Sequence, residues 1–252
     1  MSPALAPYRG GDAPVTLTVP RVAVFTDLHL QPDCYEEIVA FAETLWDLAG
    51  HCDALVILGD LFESYIGRED FTHPAFDPVR EAFRHLREAG AEILLVRGNR
   101  DVLLNHSDGR NLGFQVADSV LCSAIPGGLL LTHGDAFCLG DLPYQRLRRI
   151  LRFPGMRPML RALPSFVRRR LARRLRRFSV QEVARKPLES MHLTLPKVSE
   201  VLQQGGIQRA WIGHLHEAAR HSLEGERELR VLPAWDPKTS ALWIAECLDE
   251  TD

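Results

Sequence analysis

Apolar residues in this chain gather into two kinds of run. Residues 21–25 (RVAVF), 54–58 (ALVIL), 92–96 (EILLV) and 129–132 (LLLT) are short, branched and almost wholly apolar. That is the form of strands buried on both faces. Between the first two, Ile38, Phe41, Ala42, Leu45 and Leu48 recur at helical spacing and predict a helix over 35–48. Val79, Phe83 and Leu86 predict a second over 78–89, with Gly90 as its stop. Further on, 193–204 reads as a helix and 209–212 as a strand, and strands over 229–232 and 241–246 flank a Pro-Ala-Trp-Asp-Pro turn. Strand alternating with helix predicts an α/β sandwich.

One stretch departs from this pattern. Residues 141–186 read as helical pieces broken by Pro143, Pro154, Pro158 and Pro164. Leu163, Phe166, Val167, Leu171, Leu175 and Phe178 recur at intervals of three and four, and arginines fill the remaining face. The stretch is expected to be a basic helical cap inserted into a core of 21–140 and 187–252, with 1–20 as a loose N-terminal arm. The arm holds four prolines and no apolar run of the signal-peptide type.

Charge sharpens that division. The net charge of −3 conceals fifteen Lys or Arg against two acids within 141–186. Of the 30 basic and 33 acidic residues in the chain, fifteen and thirty-one therefore lie elsewhere. A segment near +13 beside a remainder near −16 points to an anionic partner. A solvated face or a nucleic-acid patch are the alternatives, and the scarcity of aromatics among the arginines weakens single-strand nucleic acid. The five cysteines form no CxxC pair and are odd in number, which fits a reducing compartment. No run approaches the ~18 apolar residues of a membrane span.

The candidate chemistry lies where the apolar runs end. Asp27-Leu28-His29, Gly59-Asp60, Gly98-Asn99-Arg100-Asp101, Thr132-His133-Gly134-Asp135 and Gly213-His214-Leu215-His216 each follow such a run. In D-x-H and H-x-H steps, residues two apart can share a face. Asp60, with two oxygens, can bridge two ions, and Asn99, His133, His214 and His216 complete about four ligands per ion. Such a centre activates water at neutral pH. Asp101 and Asp135 are expected to orient ligands rather than to bind metal.

The ordered motifs D-x-H, G-D, G-N-x-D, H and G-H-x-H resemble those of the calcineurin-like metallophosphoesterases, over nearly the whole chain. The resemblance implies a sandwich of two mixed β-sheets flanked by helices. It assigns Asp27, His29, Asp60 and His216 to one metal, and Asp60, Asn99, His133 and His214 to the other, with a hydroxide between them. Most of that superfamily carries a histidine where this chain has Arg100. Arginine does not release a proton but holds phosphate oxygens in bidentate fashion, which tilts the substrate towards a pyrophosphate with a good leaving group.

The Arg version is similar to the UDP-2,3-diacylglucosamine hydrolases of lipid A synthesis, as are 58–67 (LGDLFESYIG), 98–104 (GNRDVLL), His133 to Cys138 with Asp141, Tyr144 and Gln145, and 162–172 (ALPSFVRRRLA). That likeness implies hydrolysis to UMP and a lipid 1-phosphate by two divalent ions, usually manganese. It implies substrate contacts through Asn99, Arg100, Asp141, Tyr144, Ser179, Lys186 and His214. It further implies a cytoplasmic monomer, peripheral on the anionic inner membrane through its arginines, with nucleic acid not expected as a partner. Val183 and Asp236 depart from that pattern, where Asn and His are common. The alternatives are a same-fold enzyme for another nucleotide-lipid pyrophosphate or phosphodiester, and a non-catalytic module docking on membrane or RNA.

Overall fold

Alternation along the strands decides which layer each side chain enters. In the strand 21–25, Val22 and Val24 point to one face and Ala23 and Phe25 to the other, all buried. A strand apolar on both faces needs cover on both, and the fold supplies it with a second sheet on one side and helices on the other.

The computed structural model describes residues 13–153, 155–183, 193–238 and 243–246, with the backbone alone for 177–183. One sheet has the order β11-β2-β3-β4-β5, built from β2 (Arg21–Phe25), β3 (Ala54–Ile57), β4 (Glu92–Val96), β5 (Gln115–Ala117) and β11 (Trp243–Glu246). The other runs β1-β6-β7-β8-β10-β9. Its strands are β1 (Val15–Leu17), β6 (Ser119–Cys122), β7 (Leu129–Thr132), β8 (Arg209–Ile212), β9 (Ala219–Leu223) and β10 (Arg227–Val231). Both are mixed: β2, β3, β4 and β5 are parallel, and β11 is antiparallel at the edge. Val22, Val24, Val56, Leu94, Val96 and Leu131 fill the space between the sheets. Helices α1 (Tyr35–Asp47) and α3 (Asp77–Glu88) cover the outer face of the first sheet with Ile38, Phe41, Leu45, Val79, Phe83 and Leu86. Short α2 (Arg68–Phe71) and α4 (His106–Leu112) adjoin them, and α8 (Leu195–Gly205) covers the second sheet with Val198, Val201 and Leu202. The two-sheet sandwich flanked by helices is the predicted fold class.

The arm expected over 1–20 contains a strand, since Val15–Leu17 pairs in parallel with β6. Residues 1–12, Pro154, 184–192, 239–242 and 247–252 lie outside the described residues, Lys186 among them. The basic segment forms α5 (Leu142–Leu151), α6 (Met156–Ala162) and α7 (Ser165–Val183). Pro143 does not break α5 but opens it, in the first turn where the missing N–H costs nothing.

The arginines are not confined to an outer face. Arg148 reaches Asp135, Arg152 reaches Asp118, Arg161 forks onto Asp108, Arg168 meets Glu69 and Arg176 meets Glu63. These pairs join α5, α6 and α7 to the sandwich. Arg149, Arg169, Arg170, Arg173 and Arg174 remain exposed, as does Phe166 of the apolar stripe.

Candidate metal centre

The C-terminal ends of β2, β3, β4, β7 and β8 lead directly into the segments holding Asp27, Asp60, Asn99, His133 and His214. Crevices of this kind, outside the carboxyl ends of parallel strands, collect functional loops. The backbone there is unusual. Among the described residues, six non-glycine residues have positive φ, and five are Asp27 (53°), His29 (51°), Asp60 (53°), His214 (70°) and His216 (64°). Left-handed backbone disfavours side-chain-bearing residues, Asp less than most. Gly98 is a glycine because a Cβ there would strike the Asp60 carboxylate.

Asp27, His29 and His216 present ligand atoms all within 4.8 Å of one another, as do Asp27, Asp60 and His133. His29 Nε2 lies 3.3 Å from His216 Nε2, which is 3.5 Å from Asp27 Oδ1. Thr26 Oγ1 and the His214 N–H both donate to Asp27 Oδ2, at 2.6 and 2.8 Å. Oδ1 is left buried without a hydrogen bond. Asn99 Oδ1 faces His133 Nε2 at 2.9 Å and His214 Nδ1 at 3.1 Å. His133 Nδ1 lies 2.8 Å from the Leu58 carbonyl, so this nitrogen carries a proton, and once the ring is neutral Nε2 offers a lone pair. Acceptor then faces acceptor, an arrangement a cation between them resolves.

Electrostatics favour the same occupant. Burial pushes the Asp60 carboxyl up to about 7, against the His133 charge and with Asp101 and Asp27 adding to the rise. Burial opposes ionisation of Asp27 too, but His216, His133 and Thr26 outweigh it and hold the group well below the usual range. Burial brings His29 down to about 3, helped by Arg100, and His214 to about 4, helped by His133. Burial opposes charge on His133, but Asp60, Asp27 and Asp135 outweigh it and raise that ring, and the contact with Asp27 raises His216. A divalent ion would take the place of these protons among the buried acids and imidazoles, and the residues present fit one.

The remaining candidates divide. Arg100 donates its backbone N–H to Asp60 Oδ1 at 2.9 Å and its guanidinium to Glu63. Asp101 accepts from Gly98 N and Leu61 N, bracing two ligand loops, and burial raises it to about 6. Asp141 caps α5 by accepting from the Tyr144 N–H. Tyr144 gives its hydroxyl to Asp135 at 2.7 Å, and its ring stacks on His214 at 6.1 Å. Arg152 and Arg148 keep Asp135 ionised, its pKa far below the usual range despite burial. Ser179 is placed on α7 by its backbone alone, as is Val183. Asp236 accepts from the Lys238 N–H, while its neighbour Trp235 donates its own N–H to the Thr26 carbonyl beside Asp27.

Sequence reasoning gave Glu63 no role, yet it contacts His29, Arg100 and Arg176. Its only signal was an acid three residues after Asp60. A cavity of about 190 Å³ opens beside Asn99 and Arg100. Its wall includes Tyr65, Ile66, Val102, Leu103, Leu147, Leu151, Leu160, Leu171 and Leu175.

Residues 20–218 match the family model described as calcineurin-like phosphoesterase. The UDP-2,3-diacylglucosamine hydrolase of Pseudomonas entomophila (strain L48) is 36% identical over 229 residues, covering 89% of this chain and 95% of that one. A protein of the same name from Azotobacter vinelandii (strain DJ / ATCC BAA-1303) is 36% identical over 219 residues, 84% and 90% of the two chains. That of Pseudomonas syringae pv. tomato (strain ATCC BAA-871 / DC3000) is 34% identical over 89% and 92%.

Proposed function

The chain belongs to the calcineurin-like phosphoesterase family, and on that premise we propose that it hydrolyses UDP-2,3-diacylglucosamine to UMP and 2,3-diacylglucosamine 1-phosphate. The observation that carries this reading is the apolar cavity opening beside Asn99 and Arg100, at the edge of the candidate metal centre. A phosphodiester of water-soluble groups has no use for such a wall, whereas acyl chains gain about 0.8 kcal/mol per buried CH₂.

Asp27, His29, Asp60 and His216 would hold one divalent ion, and Asp60, Asn99, His133 and His214 a second, with manganese the proposed metal. Bound there, such ions supply Lewis acidity and a water of lowered pKa. The protein's own groups do the rest. Arg100, fixed by its backbone bond to Asp60, offers guanidinium donors to the phosphate oxygens. It gives no proton, and none is needed, because a departing phosphomonoester with second pKa ~6 leaves as an anion. Leu147, Leu151, Leu171 and Leu175 would take acyl chains. Tyr144, anchored on Asp135, keeps α5 against His214. Ser179 and Lys186 are proposed as further substrate contacts.

No helix among the described residues is long and apolar enough to cross a membrane. Contact with an anionic lipid surface is proposed instead through exposed Ile150, Phe153, Met159 and Phe166 beside the exposed arginines. The protein is proposed to act as a cytoplasmic monomer, with 141–186 as a cap over the site.

The test is release of UMP by Mn²⁺-loaded protein from a panel of UDP-sugars with and without acyl chains. Turnover of the diacylated substrate is expected, with His29→Ala and Asn99→Ala nearly inactive. Full activity without metal, or equal turnover of bis-p-nitrophenyl phosphate, would overturn the reading. Vesicle binding with no hydrolysis of any phosphoester would point to a docking module.

A further inference from the structure

Glu63 stands where three cationic or ionisable groups meet. Its Oε1 accepts from Arg100 Nη1 at 2.5 Å and pairs with Arg176 of α7, while Oε2 lies 3.5 Å from His29 Nδ1. The carboxylate is mostly dehydrated, with the side chain 13% exposed. Its backbone is equally fixed. Glu63 N donates to the Leu30 carbonyl at 3.0 Å, and Tyr65 N to the Arg100 carbonyl at 3.0 Å. The segment 61–65 therefore ties the His29 loop to the Arg100 loop.

The alternative partner for Arg100 is close at hand. Its Nε sits 3.7 Å from Asp60 Oδ2, beyond a hydrogen bond but within a small side-chain rotation of one. Asp60 is also the carboxylate placed to serve both metals. A guanidinium that closed onto it would neutralise the charge and occupy the oxygen that an ion needs. Arginine is always charged, so a competing anion holds it elsewhere most strongly. Among the described residues the structure shows one carboxylate hydrogen-bonded to the Arg100 guanidinium, and it is Glu63.

We propose that Glu63 is a positioning residue that holds Arg100 away from Asp60, keeping the carboxylate open to metal and the guanidinium at the cavity. Arg176, paired to the same carboxylate, is held beside Arg100 by the same charge. The inference rests on Asp60 being a metal ligand.

The experiment is Mn²⁺ titration by calorimetry, with no substrate present, on the wild type, Glu63→Gln, Arg100→Gln and the double variant. Glu63→Gln is expected to weaken Mn²⁺ binding about tenfold or more, the scale on which groups supporting a metal ligand act. Arg100→Gln is expected to bind Mn²⁺ at least as tightly as the wild type. The double variant is expected to recover to within about threefold of it, because the competing cation is gone. A double variant as weak as Glu63→Gln would overturn the inference, since Glu63 would then act through His29. Unchanged affinity in Glu63→Gln would overturn it too. Should that variant not fold, weaker Mn²⁺ binding in Arg100→Gln alone is enough to refute it. A wild type that binds no Mn²⁺ would instead sink the metal-centre reading.

Discussion

Asp118→Asn removes one negative charge from a site where two arginines are buried. Asp118 Oδ1 accepts from Arg97 Nη1 at 2.9 Å and from Arg152 Nη1 at 2.8 Å, with Arg157 3.7 Å away. Asp118 is fully buried, and the Arg97 and Arg152 side chains are 1% and 4% exposed. The guanidiniums are braced further by the carbonyls of Leu104 and Arg97. Asparagine preserves the shape and the acceptor but leaves the arginines without their counter-charge. Breaking a buried pair in this way costs about 3–5 kcal/mol. Asp135, 3.7 Å from Arg152, still shares part of the charge and favours the lower end. At roughly 2–4 °C per kcal/mol for a chain of this size, the melting temperature should fall by about 6–12 °C. Calorimetric melts in low and high salt read it, and the fall should persist in high salt because buried charges are little screened. Arg174→Gln, at an exposed position, serves as control and should shift stability by no more than about 0.5 kcal/mol. A fall under about 2 °C, or one that salt abolishes, would refute the claim that these arginines dock α5 onto the sandwich.

The protonation of the site makes two further outcomes expected. Burial raises Asp60 to about 7 from an ordinary 3.8, so the folded metal-free protein binds a proton that the unfolded chain has lost between those values. Its stability contribution therefore falls as pH rises from about 4 to 7, which melts across that range would show. Metal must displace the same proton, together with those on His133 and His216, which Asp60 and Asp27 raise, so Mn²⁺ affinity should climb with pH through about 7; a flat profile would contradict it. Replacing exposed Phe153 and Phe166 by Ser should weaken sedimentation with anionic vesicles, while unchanged binding would remove those residues from the proposed lipid surface.

Much of the fold was legible because local pattern and tertiary burial agree. Strands β2, β4, β7 and β8 carry runs apolar enough to be buried wherever they fall, and α1 and α3 show an unbroken stripe. The ligand clusters were legible for the same reason, as polar residues directly after such runs. What was missed depends on partners distant in the chain. Val15–Leu17 becomes a strand only because β6 offers an edge, and polar Ala219–Leu223 only by pairing with β10. Helix α4 is short and contains Gly109, and it is held by the reciprocal caps of Asn105 and Asp108. The inward arginines escaped periodicity because a guanidinium can enter the interior wherever a carboxylate waits. For Arg161 and Asp108 that partner lies 53 positions away.

The left-handed backbone at Asp27, His29, Asp60, His214 and His216 gives the molecule a conflict between folding and chemistry. Each such conformation costs of order 1–3 kcal/mol for a residue with a side chain, less for Asp. Glycine would relieve that strain at all five positions and remove every ligand it touched. Selection for stability alone would therefore drift these loops towards glycine or asparagine, and only the demand for the chemistry opposes it. A descendant that no longer needs the reaction should betray itself at these five positions, with an intact sandwich and a gain in thermal stability.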